Sequence, residues 1–167
     1  RHGLWLVDLV QGLFHWNRSG LVPFDFPRDS TRGRVTFVYG DSRGRLWVVF
    51  ERGRLGLIGA DRRFRAFTAE DGFDEATHAA IQAIAEDRNG TMWIGGAGGL
   101  TRFDNGRFAT VNRAIGLPGQ RVQGITTDDL GYLWLAIDGR IVCFHPDEFA
   151  QALSQPGYRI HHAQFDQ

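Results

Sequence analysis

The sequence predicts an all-β protein made of about four four-stranded antiparallel meanders, each the size of one β-propeller blade. Three observations predict it. The first is a recurring frame: an Asp, a Gly three residues on, then an aliphatic residue or Met directly before a Trp. It reads Asp41-Ser42-Arg43-Gly44-Arg45-Leu46-Trp47, Asp87-Arg88-Asn89-Gly90-Thr91-Met92-Trp93 and Asp128-Asp129-Leu130-Gly131-Tyr132-Leu133-Trp134, with a worn copy ending at Leu4-Trp5. The second is period: the motif tryptophans lie 42, 46 and 41 residues apart, the repeat length of a blade. The third is composition. The chain has 22 Gly in 167 residues and 13% aromatic residues, which supply tight hairpins and sheet-to-sheet cores.

Further landmarks hold the same register. Leu13 and Trp16, Leu55 and Ile58, Leu100 and Phe103, and Ile141 and Phe144 follow the four tryptophans. Val35 and Val38, Ile81 and Ile84, and Val122 and Ile125 stand six and three residues before the motif Asp. The units run over residues 1–34, 35–79, 80–120 and 121–167 of one propeller segment, and the first lacks its opening strand. The third unit shows the expected strands: 80–85, 92–95, 100–103 and 107–111.

Each turn has its own chemistry. In Asp-x-x-Gly the carboxylate bonds nearby backbone N–H groups and the Gly takes positive φ. A glycine-rich link, 95–99, closes the second hairpin, and Asn105-Gly106 the third, a strong hairpin signal. Burying the Trp between neighbouring blades removes roughly 150–250 Å² from water, on the order of 4–6 kcal/mol as an upper bound. First strands such as Ile81-Gln82-Ala83-Ile84-Ala85 carry little polarity on either side, as expected of a strand covered on both faces. Longer loops, 24–34, 69–78 and 112–121, join the units. Pro and acidic residues open the stretch 146–153, which reads as a short helix. The final strand falls in 158–166. Two places are open to it: fourth strand of the last unit, or, since Ile160, Ala163 and Asp166 match the first-strand spacing, completion of the first unit to lock a ring.

Lys plus Arg and Asp plus Glu total 19 each, so the net charge is zero. That removes the basic surplus expected of a nucleic-acid binder. The single cysteine, Cys143, excludes an internal disulfide and, in its apolar run, reads as a structural thiol. No apolar stretch reaches the roughly 18 residues of a membrane span, so membrane contact by this segment itself is not expected. The opening on Arg1 in mid-pattern points to a piece of a longer protein.

The run from Ile81 to Asp104, Ile-x-x-Ile-x-x-Asp-x-x-Gly-x-Met-Trp-Ile-Gly-Gly-x-x-Gly-Leu-x-Arg-Phe-Asp, resembles the two-component regulator propeller repeat. The following Gly116-Leu117-Pro118 also fits it. Other copies are looser: Glu51-Arg52-Gly53-Arg54-Leu55 and Ile137-Asp138-Gly139-Arg140-Ile141 replace the Gly-Leu segment, and His2 stands at the Gly position of the first. The resemblance implies a periplasmic, non-catalytic, ligand-sensing module of a bacterial signal-transduction receptor. The kinase or cyclase output would lie outside this chain. It also implies a larger array, because such sensors carry more than four repeats. Two other propeller signatures fail on spacing. The sialidase Asp-box has its Asp two residues before Gly, and the quinoprotein tryptophan motif needs a longer Asp-to-Trp interval.

No catalytic residue, cofactor or metal ligand is expected, and no binding residue is assigned. The 95–99 link lacks the Lys and Ser/Thr of a phosphate loop and enters a strand, not a helix. Asp87 with Asn89, and Asp128-Asp129, lack the spacing of a Ca²⁺ loop and read as turn caps. His161 and His162 point to opposite faces of a strand, and His2, His15, His78 and His145 have no partner at ligand spacing. Cys143 beside His145 matches no nucleophile signature. Glu70, Asp71, Asp74 and Glu75 read as a solvated acidic loop in place of glycosidase carboxylates. A small-molecule or glycan ligand would meet loops from several blades: 71–78, 113–121, and the turns at Glu51-Arg52 and Asp138-Gly139. The alternatives are a structural or dimerisation scaffold, or a propeller-fold glycan hydrolase or lyase. Open sheet faces at the ends of such an array predict self-association or packing with further blades, with two chains completing a ring of about eight blades as one arrangement.

Overall fold

Short apolar runs alternating with Gly-containing turns fold into four antiparallel sheets in a computed structural model that describes residues 3–27, 33–74, 78 and 80–165. The first sheet has three strands, β1 (Trp5–Asp8), β2 (Gly12–Asn17) and β3 (Gly20–Pro23). The second holds β4 (Val35–Gly40), β5 (Leu46–Phe50), β6 (Leu55–Ile58) and β7 (Phe64–Ala66). The third holds β8 (Ile81–Glu86), β9 (Met92–Gly96), β10 (Gly99–Asp104) and β11 (Arg107–Val111). The fourth holds β12 (Val122–Thr127), β13 (Leu133–Ile137), β14 (Arg140–Phe144) and, after the helix α1 (Pro146–Ser154), β15 (Ala163–Phe165). Every pairing is between strands adjacent in chain order, so each sheet is a blade-like meander. β15 pairs with β14 and is therefore the fourth strand of the last blade.

The chain forms two compact units, 1–67 and 68–167. In the first, Leu13, Val35, Leu46, Val48, Phe50 and Ile58 form the core. Aromatic rings extend it edge to face, with centroids 5.7 Å apart for Trp5 and Phe24 and 5.0 Å for Phe24 and Phe26 and for Phe26 and Phe64. In the second, Trp93 packs in one cluster with Leu133 and Leu135 of the following blade and with Phe149 of α1. Gly95 permits that approach: a Cβ there would stand 2.5 Å from Val122 Cγ1.

The motif Asp does more than cap its turn. Asp87 Oδ1 accepts from the N–H groups of Asn89 and Thr91, while Oδ2 accepts from Trp93 Nε1 at 2.9 Å. The same triad recurs at Asp41, where Oδ2 accepts from Trp47 Nε1 at 3.0 Å, and at Asp128, where Trp134 Nε1 donates at 2.8 Å. One carboxylate thus fixes the hairpin and the orientation of the largest side chain together. Trp47 and Trp93 are buried, Trp47 stacked on Phe67 of its own blade; Trp134 is half-buried and stacks on Phe165.

Two expectations need correction, and two landmark positions differ in burial between blades. The first strands are not apolar on both sides: a bulge between Ile81 and Ala83 turns Gln82 outward, and bulges recur at Val35/Phe37 and Val122/Gly124. Among the register landmarks, Trp16 is exposed at 54% where Ile58, Phe103 and Phe144 are buried, and Ile141 at 43% where Leu13, Leu55 and Leu100 are buried. Among the described residues of their own units, no sheet covers those two faces. The last strand is shorter than 158–166, because Ile160 buries itself and donates its N–H to Gly116 O before β15 begins. The helix starts where Pro and acids place it, with His145 Nδ1 accepting from Asp147 N at the cap.

Asp87→Ala removes three acceptor contacts, one of them to a buried indole. It is expected to destabilise the protein by about 2 kcal/mol in urea unfolding, hydrogen bonds to charged groups being worth roughly that. Asp129→Ala, at an exposed neighbour without a described side-chain bond, should stay within about 0.5 kcal/mol of wild type. Equal losses at both positions would refute the carboxylate's role.

Candidate functional site

Antiparallel meanders gather alternate hairpin turns at one end of a sheet. In the first unit the β4–β5 and β6–β7 turns meet the start of β1 and the middle of β2, and a cleft of about 490 Å³ opens there. Its polar lining is Asp41, Arg43, Arg45, His15 and Arg62, and its aromatic wall is Trp5.

Asp41 is buried and engaged: besides Trp47 it accepts from Arg43 N, Arg45 N and Arg45 Nε, the last at 2.6 Å. Arg45 therefore neutralises Asp41. His15 sits across the strand pair from Trp5, its ring tilted against the indole at 4.7 Å. Arg62 Nη2 lies 3.1 Å from His15 Nε2. A guanidinium only donates, so Nε2 accepts and the proton resides on Nδ1. Burial, with the Arg62 charge, lowers the His15 pKa and keeps this neutral form. His15 Nδ1 is buried with no hydrogen-bond partner among the described residues. Arg62 itself holds φ +63°, a left-handed conformation that costs a non-glycine residue free energy. The corresponding turn of the third blade places Asn105 and Gly106 there instead. His15, Arg43 and Arg62 share no spacing in the sequence; only the fold brings them together.

The loops expected to meet a ligand are tied down. Glu51 pairs with Arg34 at 2.7 Å, and that hydrogen-bonded guanidinium, then the Arg34 N–H, holds its pKa low. Asp138 accepts from Gln120 N and Arg121 N, which lower its pKa. Asn112 caps the turn at 113–115. Asp71 closes a capping box with Thr68, Glu70 is exposed, and Glu75 and His2 lie outside the described residues. The 95–99 link is a hairpin turn. In the second unit Arg88 donates to the carbonyls of Asp128 and Asp129, tying two turns directly. Glu148 accepts from Tyr158 Oη and His161 N. Burial raises the Glu148 pKa, but those donors outweigh it and hold it low, while the same bond pushes Tyr158 up to about 12. His162 Nδ1 bonds Ile160 O, and Cys143, half-buried, lies across from Trp134. Among the described residues no three His, Cys, Asp or Glu side chains cluster as a metal site.

His78 is buried, like His15. Its Nδ1 lies 2.6 Å from Asp74 O and its Nε2 2.5 Å from Thr101 Oγ1, which in turn meets Thr110 Oγ1 at 2.8 Å. A carbonyl accepts only, so Nδ1 carries the proton and Nε2 accepts from Thr101. Phe73 stacks on the ring at 4.3 Å.

Residues 77–98 match the family model described as two component regulator propeller. The match falls on the third blade, over strands β8 and β9. The solved extracellular domain of a protein described as a hybrid two component system from B. thetaiotaomicron is similar over 99% of this chain and 22% of that one, at 21% identity and a TM-score of 0.73. A second such domain from the same organism is similar over 84% of this chain and 20% of that one, at 20% identity and a TM-score of 0.60. Virginiamycin B lyase from Staphylococcus aureus is similar over 99% of this chain and 52% of the lyase, at 14% identity and a TM-score of 0.67. The chain spans about a fifth of those extracellular domains and about half of the lyase. These likenesses show the β-propeller fold. No curated protein matches the chain. No helix among the described residues is long and apolar enough to cross a membrane.

Burial lowers the His78 pKa, and the bond to the Asp74 carbonyl only partly offsets it. Its folded value lies below its unfolded value near 6.5, so the stabilisation it contributes is present above that pH and is lost as pH falls toward the folded value. The wild-type protein should lose unfolding free energy from pH 7.5 to 5, and His78→Gln should lose less. Parallel losses in the two proteins would refute a buried neutral His78.

Proposed function

We propose that the chain is a periplasmic, non-catalytic sensing segment of a bacterial signal-transduction receptor. It binds a small-molecule or glycan ligand and passes the bound state to an output domain elsewhere in its parent protein. The observation that carries the proposal is the two component regulator propeller match on the third blade. The extracellular domains with the same fold support it. The enzyme reading draws its support from fold alone, as in the lyase at 14% identity. In the acidic loop, Asp71 caps a turn and Glu70 and Asp74 are exposed.

A scaffold role has a specific observation in its favour. Ile141, exposed at 43%, and Phe165, exposed at 49%, are paired on adjacent strands beside the half-buried Trp134. The equivalent Trp93 is covered by the next blade. We propose that this outer face packs on a further blade or a second copy.

One calorimetric titration separates these readings. The protein is titrated with small-molecule and glycan panels, product analysis is run on the same samples, and light scattering gives the mass. Saturable heat with unchanged ligand supports sensing. Ligand cleavage overturns it in favour of an enzyme, and a self-associated protein that binds no member of the panels overturns it in favour of the scaffold.

A further inference from the structure

We propose that the cleft of the first unit binds the oxyanion group of a small organic acid, a carboxylate or a sulfate ester, held by Arg62 and Arg43. The inference deepens the sensing reading and rests on it for its biological meaning. Three arginines and one aspartate line the cleft. Asp41 and Arg45 are paired at 2.6 Å, which leaves the guanidiniums of Arg43 and Arg62 as the surplus charge. Asp61, beside Arg62 in the chain, accepts instead from Arg63 N and lies 3.7 Å from Arg63 Nε.

A neutral acceptor, His15 Nε2, takes one Arg62 N–H where a carboxylate would have cancelled its charge. The rest of the guanidinium fork keeps both its charge and its donors for a planar oxyanion. His15 is buried, at 6% exposure, and lines the cleft with one ring nitrogen unpartnered. Arg62 holds a left-handed backbone that glycine would adopt freely, as Arg52, Asn105 and Asp138 do at other turns. A volume of about 490 Å³ exceeds what a bare inorganic anion fills and matches small-ligand pockets. Trp5 supplies an apolar wall for the body of such a ligand.

The test uses sodium benzoate and sodium sulfate as probes, with NMR of the Trp5 indole and His15 ring signals as the readout. Saturable shifts at these two residues, weakened by added chloride, are the expected result. Benzoate acting alone assigns a carboxylate site; sulfate acting alone assigns a sulfate-ester site. Arg62→Gly suits the positive φ, so it should leave the fold intact or firmer while weakening binding at least tenfold. Arg43→Ala should weaken it several-fold. Shifts that persist unchanged in Arg62→Gly, or no shift with either probe, overturn the proposal. In the full-length protein, signalling that survives Arg62→Gly after anion binding is lost would refute a sensing role for this cleft and leave its chemistry standing. Signalling to an inducer in a protein that binds neither probe would refute the cleft and leave the sensing reading intact.

Discussion

The hydrogen bond from a tryptophan indole to the carboxylate six residues before it is the interaction the rest of the structure depends on. It joins two levels of organisation that are usually separate. One oxygen of the Asp organises a four-residue turn through backbone N–H groups; the other reaches the side chain that fills the core. Burying an indole without a partner for its N–H would offset part of the gain from its area. Pairing it with a turn carboxylate removes that cost, and makes the hairpin and the core form together. Asp128 shows the electrostatic consequence: the Trp134 N–H, followed by backbone donors, holds its pKa below the usual range.

Glycine works against the same constraint from the other side. Gly90 accepts φ +78° to close the turn, and Gly95 lets the next blade come within contact of β9. Asp, Gly and Trp are therefore all engaged in making and stacking blades. Chemistry toward a ligand falls to residues that differ between copies: the position across from the motif Trp is His15, Leu57, Arg102 and Cys143 in the four blades.

Much of this was legible in the sequence because periodicity is a local signal repeated several times. The meander, the Asn105-Gly106 hairpin, the helix after Phe144 and the turn-capping role of the aspartates followed from residue order. The indole bond was not legible: an interval of six residues has no meaning until β9 returns beside the turn. The bulges escaped for a similar reason, since Gln82 sits in a run that reads as apolar on both faces until the register shifts. The cleft was the least legible part. Arg62, Arg43 and His15 come from separate hairpins, and nothing in their spacing announces that an arginine will rest on a neutral imidazole. The loops that sequence singled out as a binding surface proved to be ordered by their own charges, as in Glu51 with Arg34 and Asp138 with two backbone N–H groups.

The central claim is that the Asp–Trp pairs hold the blades. Hydrogen exchange of the five indole N–H protons, followed by NMR, tests it most directly. The account predicts slow exchange for Trp47, Trp93 and Trp134, slowest for the two that are fully buried, and fast exchange for the exposed Trp16. Exchange of Trp47 and Trp93 at the rate of Trp16 would contradict it.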